Sequence, residues 1–183
     1  MQKLTDYPAL LMELHGAGVE FIIVGGFAAA LRGCAIGTRG LEIVYSRTRE
    51  NVTRLISAVA RHGAYLVGPV PGLPFRPDVQ TIEAHPDLTA RTGLGAVTLL
   101  QRLPGGSTYG DLLPDCERMT VFGVDCRCLA LKKLIEVKRA AGSREDLREA
   151  ADLEAHLEES EGSPERSPSD LDRGGETCEP LSP

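Results

Sequence analysis

The sequence predicts a mixed α/β fold (α+β in connectivity), a single domain whose central β-sheet is flanked by helices. Three observations predict it. The first half of the chain runs strand, Gly-Gly, helix, strand, helix; the first strand is a β-branched run closed by glycine at both ends; and later segments carry apolar residues at helical spacing. With 183 residues and 42% hydrophobic content the chain can bury one core without disulfide staples.

Tyr7 to Gly18 sets Leu10, Leu11, Leu14 and Ala17 on one helical face and places Gly16 and Gly18 at the exit. Val19 to Val24 (VEFIIV) has the composition of a strand buried on both faces. Gly25-Gly26 then opens a small-residue helix, FAAALRG. Leu41 to Tyr45 is the second strand. Thr48 to His62 is a helix with Val52, Leu55, Ile56 and Val59 on its apolar face.

Between Gly68 and Asp87 stand five prolines, Pro69, Pro71, Pro74, Pro77 and Pro86, and the segment reads as mostly loop. Ala96 to Leu100 reads as a strand, and Met119 to Phe122 with Asp125 to Leu129 as a hairpin about Gly123-Val124. Leu131 to Ala141 and Arg144 to Leu157 are expected to be the closing helices, with Gly142 as a break and Ser143 as N-cap. These boundaries give a folded domain over 1–157.

Residues 158–183 (EESEGSPERSPSDLDRGGETCEPLSP) are rich in Ser, Pro, Gly and Glu and read as a disordered acidic tail, because they lack the apolar side chains that would offset the entropy of ordering them. The tail also holds the net charge. From Glu158 onward eight acidic residues face Arg166 and Arg173, giving -6, and 1–157 balance at 18 of each sign. Bulk charge therefore gives no case for nucleic-acid binding. No stretch approaches the roughly 18 consecutive apolar residues of a membrane span, so no membrane association is expected. The five cysteines are odd in number and scattered behind a charged N-terminal segment, which leads to the expectation of a reduced, cytoplasmic protein.

Residues two apart on a strand share a face, so Gly40 and Glu42 project together while Leu41 and Ile43 enter the core. Two short carboxylates at such positions would hold a metal ion. Here one of them is glycine. Gly25-Gly26 between a strand and a helix lets backbone N–H groups approach a phosphate, and the alternative is a tight, closely packed turn. Thr38 and Arg39 could add a hydroxyl and a charge beside it. Lys132, Lys133, Lys138 and Arg139 form a basic strip on one helix, which reads as a solvated face for most of its length. Cys126 and Cys128 share a strand face without the His or second Cys pair of a zinc site, so they read as buried thiols.

At VGGFAAALRG and Thr38-Arg39-Gly40-Leu41-Glu42-Ile43-Val44 the chain resembles the nucleotidyltransferase superfamily, in particular its small single-domain bacterial members related to AbiEii-type toxins. The likeness continues through YGDLLPDCERMTVFGVDCRCLALKKLIEVKRAAGSREDL and covers roughly residues 5 to 157. It implies the nucleotidyltransferase fold, an NTP substrate and Mg²⁺ held by three acids, which clamp the α-phosphate and activate the attacking oxygen. In this sequence Gly40 stands at the first acid, Glu42 at the second and Thr98 at the third. A shifted alignment would offer Asp87 or Asp111 instead.

The resemblance therefore implies catalytic acids that are degraded, with Glu42 as the remaining catalytic and weak metal-binding candidate. Gly25, Gly26, Thr38, Arg39 and Lys138 are the candidates for nucleotide contact. Three functions compete: an impaired or inactive member that still binds a nucleotide or a protein partner; an active enzyme moving NMP from NTP to a hydroxyl acceptor in a toxin-antitoxin or phage-defence setting; and a decayed frame that folds without activity. Because glycine is entropically costly inside a strand, Gly40→Asp is expected to be tolerated unless repulsion with the neighbouring acid dominates in the metal-free state.

Overall fold

The computed structural model describes residues 4–38, 40–67, 78–84 and 87–162. Among them, seven strands form one mixed sheet in the order β3-β4-β5-β2-β1-β7-β6. In chain order the elements are α1 (Tyr7–Gly16), β1 (Phe21–Val24), α2 (Gly25–Leu31), β2 (Leu41–Tyr45), α3 (Arg49–Ala60), β3 (Tyr65–Leu66), α4 (Val79–Ala84), β4 (Asp87–Thr92), β5 (Gly95–Leu100), α5 (Tyr109–Leu112), a 3₁₀ turn (Leu113–Asp115), β6 (Cys116–Val121), β7 (Val124–Leu129), α6 (Leu131–Ala141) and α7 (Arg144–Gly162).

β1 lies second to none in burial, with all four residues inside, because it sits between β2 and β7 with helices over the sheet. It pairs antiparallel with β2 and parallel with β7; β2 in turn pairs parallel with β5. The apolar positions Ile22, Ile23, Leu41, Ile43, Val97 and Leu99 make the centre of the core. α1 packs against α3 and β7, α2 against β1, β2 and α6, and α6 against α7. The ring of Tyr7 stacks on Phe27 at 4.1 Å, which ties the start of α1 to α2. Buried Asn51 accepts from the N–H of Glu20 at 2.7 Å and donates to the carbonyls of Glu20 and Ser46, joining α3 to the entry of β1 and the exit of β2.

Four differences from the sequence reading have local causes. Val79–Ala84 is a helix inside the proline-rich segment, because its own six residues lack proline and Ile82 packs into the core. The rest of that loop assignment, 68–77 and 85–86, lies outside the described residues. Asp87–Thr92 is a strand whose only deeply placed side chains are Leu88 and Ala90, a pattern too polar to stand out. α7 runs to Gly162, five residues beyond the expected boundary, with Glu161 paired to Lys132 at 3.0 Å; the remainder of the tail lies outside the described residues. Finally, the β6–β7 turn is Phe122-Gly123, both at positive φ, one residue earlier than expected. Gly142 ends α6 in the left-handed conformation and Ser143 caps α7 through the Asp146 N–H at 3.0 Å, as the sequence predicts.

Candidate functional site

Strand register brings the predicted positions to one place. In the parallel β2–β5 pair Glu42 lies opposite Thr98, and in the antiparallel β1–β2 pair it lies opposite Val24, so the Gly25-Gly26 turn follows directly beside it. A cleft of about 840 Å³ opens over this part of the sheet, and Gly26, Thr38, Gly40, Glu42, Thr98 and Lys138 all line it. Gly25 lies beneath the Glu42 side chain. Arg39 lies outside the described residues.

Glu42 is half-buried, and its Oε2 accepts a hydrogen bond from the Gly26 N–H at 3.3 Å. Only glycine serves at position 25: φ is +67°, and a Cβ there would overlap the Glu42 carboxylate. Burial pushes the Glu42 carboxyl above its ordinary range, against the opposing pull of Lys138 and the Gly26 N–H, and the nearby Glu149 and Asp146 carboxylates push it further in the same direction. The Lys138 ammonium reaches Asp146 at 2.9 Å and Glu149 at 2.6 Å. Its burial favours the neutral form, but the hydrogen bonds to Glu149 and Asp146 outweigh that and hold its pKa above the usual lysine value. Asp146 is held below the usual carboxylate range by the Ser143 hydroxyl first and by Lys138 second. Thr38 accepts from the Tyr7 hydroxyl at 3.3 Å and donates to the Gly40 carbonyl at 2.9 Å, so its hydroxyl shapes the loop that enters β2.

The donor set does not fit a Mg²⁺ ion. Near-octahedral oxygen ligation around Mg²⁺ uses at least one or two carboxylates free to turn toward it. Gly40 contributes no side chain, and Thr98 pairs its hydroxyl with that of Thr89 at 3.2 Å. Glu42 is turned onto the Gly25-Gly26 turn. Asp111 caps α5 by accepting from Thr108, and neither it nor Asp87 lines the cleft. Among the described residues no group of three or more His, Cys, Asp or Glu side chains converges to hold a metal. Nor does Gly40 have room for a side chain, contrary to the expectation from strand entropy: a Cβ would stand 2.8 Å from the Ala96 carbonyl oxygen and 3.0 Å from the Ala96 Cβ.

Other candidates resolve differently. On the α6 basic strip Lys132 and Arg139 are solvated, as expected, and pair at the surface with Glu161 and Glu154, whereas Lys133, against Asp115 and Glu136, and Lys138 are partly buried. Cys126 and Cys128 are buried thiols, each pushed up to about 11 by burial. Sequence reasoning missed Glu149 and the far wall of the cleft, formed by Tyr65 and Val67 beside β4 and by Thr89 and Arg91 on it. The alternation Leu88-Thr89-Ala90-Arg91 carried the signal for that wall, hidden by the prolines just before it.

No family model matches the sequence, and no curated protein is detectably similar to it. Solved structures are similar in fold. The crystal structure of the lincosamide antibiotic adenylyltransferase LnuA with lincomycin bound superposes with a TM-score of 0.54 at 11% identity, covering 84% of this chain and 99% of that one. The crystal structure of ANT(2″)-Ia in complex with adenylyl-2″-tobramycin superposes with a TM-score of 0.51 at 12% identity, covering 84% and 88%. The chain therefore has the nucleotidyltransferase fold. No helix among the described residues is long and apolar enough to cross a membrane.

Proposed function

We propose that this nucleotidyltransferase-fold protein is a catalytically impaired or inactive member of the superfamily whose cleft still binds a nucleotide. The observation that carries the reading is Gly40. The first acid of the motif is replaced by a residue with no room to regain a side chain, and the two remaining positions are a threonine bonded to Thr89 and a glutamate bonded to Gly26. Without converging carboxylates the cleft has nothing to place a metal at the α-phosphate or to lower the pKa of an attacking hydroxyl. The kinship with small AbiEii-type proteins is part of the same proposal and rests on VGGFAAALRG together with the Lys138 and Asp146 positions.

In this reading the chain's residues bind rather than transfer. At the α2 end of the cleft the Gly26 N–H donates to Glu42 and the Thr38 hydroxyl to the Gly40 carbonyl, so a nucleotide would have to displace these bonds to use either donor, and Arg39 would bring a charge to the same loop. Lys138 keeps the α6–α7 wall in place by neutralising Asp146 and Glu149. Purified protein incubated with each labelled NTP and Mg²⁺ or Mn²⁺ tests the reading. We expect no pyrophosphate release and no label transfer above a protein-free control. Metal-dependent release would support the alternative, an active enzyme transferring NMP to a hydroxyl.

A further inference from the structure

The cleft is asymmetric. Its α6–α7 wall carries Glu145, Asp146 and Glu149, and the one cation there, Lys138, already holds two of those carboxylates. On the opposite wall stands Arg91, whose guanidinium makes no ion pair and no hydrogen bond among the described residues. An arginine facing a cleft without a carboxylate partner keeps five N–H donors in a rigid fork suited to a phosphate.

Register shows what surrounds it. Arg91 is the cross-strand partner of Tyr65 on one side and of Ala96 on the other, and Ala96 in turn abuts Gly40. Tyr65, Arg91, Ala96 and Gly40 thus make one row across the cleft floor, and the two small residues leave the space beside the guanidinium open. Thr89 and Thr98 belong to the next row, adding hydroxyls. Tyr65 is 42% exposed, an aromatic ring on a cleft wall at the side of Arg91, where directly opposed side chains stand about 5 Å apart at Cβ. A flat ring can stack on that face while its anionic group meets the guanidinium.

We propose that Tyr65 and Arg91 form a binding subsite for a phosphate monoester carried on a flat ring system, the chemistry of a nucleoside monophosphate, and that the subsite works without a divalent cation. Arg91 holds the phosphate; Tyr65 holds the ring. The subsite builds on the reading of the cleft as a nucleotide site and moves the anion's anchor from the Gly25-Gly26 turn, which Glu42 covers, to the β3–β4 wall.

The test is an NMR titration of the full chain with AMP and, separately, with phenyl phosphate, both in EDTA, repeated on Arg91→Ala, Arg91→Lys, Tyr65→Ala and Tyr65→Phe. We expect both ligands to bind, Arg91→Ala to weaken each at least tenfold, and Arg91→Lys to recover part of the loss. Tyr65→Ala should weaken binding severalfold, and Tyr65→Phe should leave it unchanged. AMP bound equally by the parent and Arg91→Ala would overturn the subsite and leave the nucleotide reading standing. Arg91-dependent binding of phenyl phosphate without binding of AMP would keep the subsite and overturn the nucleotide reading. No binding of either ligand, or binding that requires Mg²⁺, would overturn the proposal. If Arg91→Ala fails to fold, the Arg91→Lys and Tyr65 pair decides: equal affinity across Tyr65→Ala, Tyr65→Phe and Arg91→Lys would overturn it.

Discussion

Glu42 lays its carboxylate over Gly25 and accepts a hydrogen bond from the Gly26 N–H at 3.3 Å. Glu42 thereby engages the Gly26 N–H, which would otherwise face the cleft. A half-buried carboxylate in that place carries an electrostatic cost of its own, raised further by Asp146 and Glu149.

Glu42→Gln should therefore stabilise the fold at neutral pH, since the amide oxygen can still accept from Gly26 and no charge is buried. Because the folded-state pKa of Glu42 is raised, its protonated form is the one the fold favours. The wild type is relieved of the cost at low pH and carries it in full once pH rises through the folded pKa. The advantage of Glu42→Gln should be absent well below the ordinary carboxylate range, grow as pH rises through it and level off above the folded pKa. Thermal midpoints of both proteins across that range check it; a variant less stable at pH 7 would show that the charge is net favourable here.

Gly40→Asp should destabilise. Ala96 on β5 must retreat to admit the Cβ, an overpacking cost of ~1–3 kcal/mol. For a chain of this size that is about 2–4 °C in thermal midpoint per kcal/mol. Urea denaturation of the single variant measures it, and a variant as stable as the parent would mean that β5 yields freely and that position 40 can carry a side chain.

Much of this site was legible because its positions are sequence-local: the glycines after a β-branched strand, and the alternation through Gly40, Leu41, Glu42 and Ile43, fall where the pattern puts them. What was not legible depends on register between strands distant in sequence. Arg91 reaches the cleft only because β4 pairs with β5 and β3, and Asp87 to Thr92 buries just Leu88 and Ala90, too little hydrophobic signal to mark a strand. The crowding at Gly40 likewise belongs to Ala96, 56 positions away. The ion pairs of Lys132, Lys138 and Arg139 depend on how α7 folds back, which composition does not reveal.

Lys138→Met should lower stability by about 1–2 kcal/mol, between the value of an exposed pair and that of a fully buried one, because Asp146 and Glu149 are left facing each other in the cleft. The loss should shrink as pH falls and Asp146, held below the usual carboxylate range in the parent, takes up a proton. A pH-independent loss would assign the effect to packing of the lysine stem instead.

Asn51→Ala should be the most damaging of these substitutions. It strands the N–H of Glu20 and removes a donor from the carbonyl of Ser46, while the Glu20 carbonyl keeps the Ser46 N–H, at a cost of about 2–4 kcal/mol. Chemical denaturation gives the value; a loss below ~1 kcal/mol would mean water replaces the side chain at no penalty.

Truncation after Gly162 should leave the thermal midpoint unchanged, since residues 163–183 are poor in large apolar side chains and α7 is kept whole. A fall of several degrees would show that the segment packs on the domain.

The floor formed by Gly40, Glu42 and Thr98 should not hold a divalent ion. Titration of the nucleotide-free protein with Mn²⁺, following the free ion by electron paramagnetic resonance, reads this without any assumption about substrate. Mn²⁺ should stay free up to roughly millimolar concentrations, with the same trace for Glu42→Gln. One ion bound tightly per chain, and released by Glu42→Gln, would contradict it.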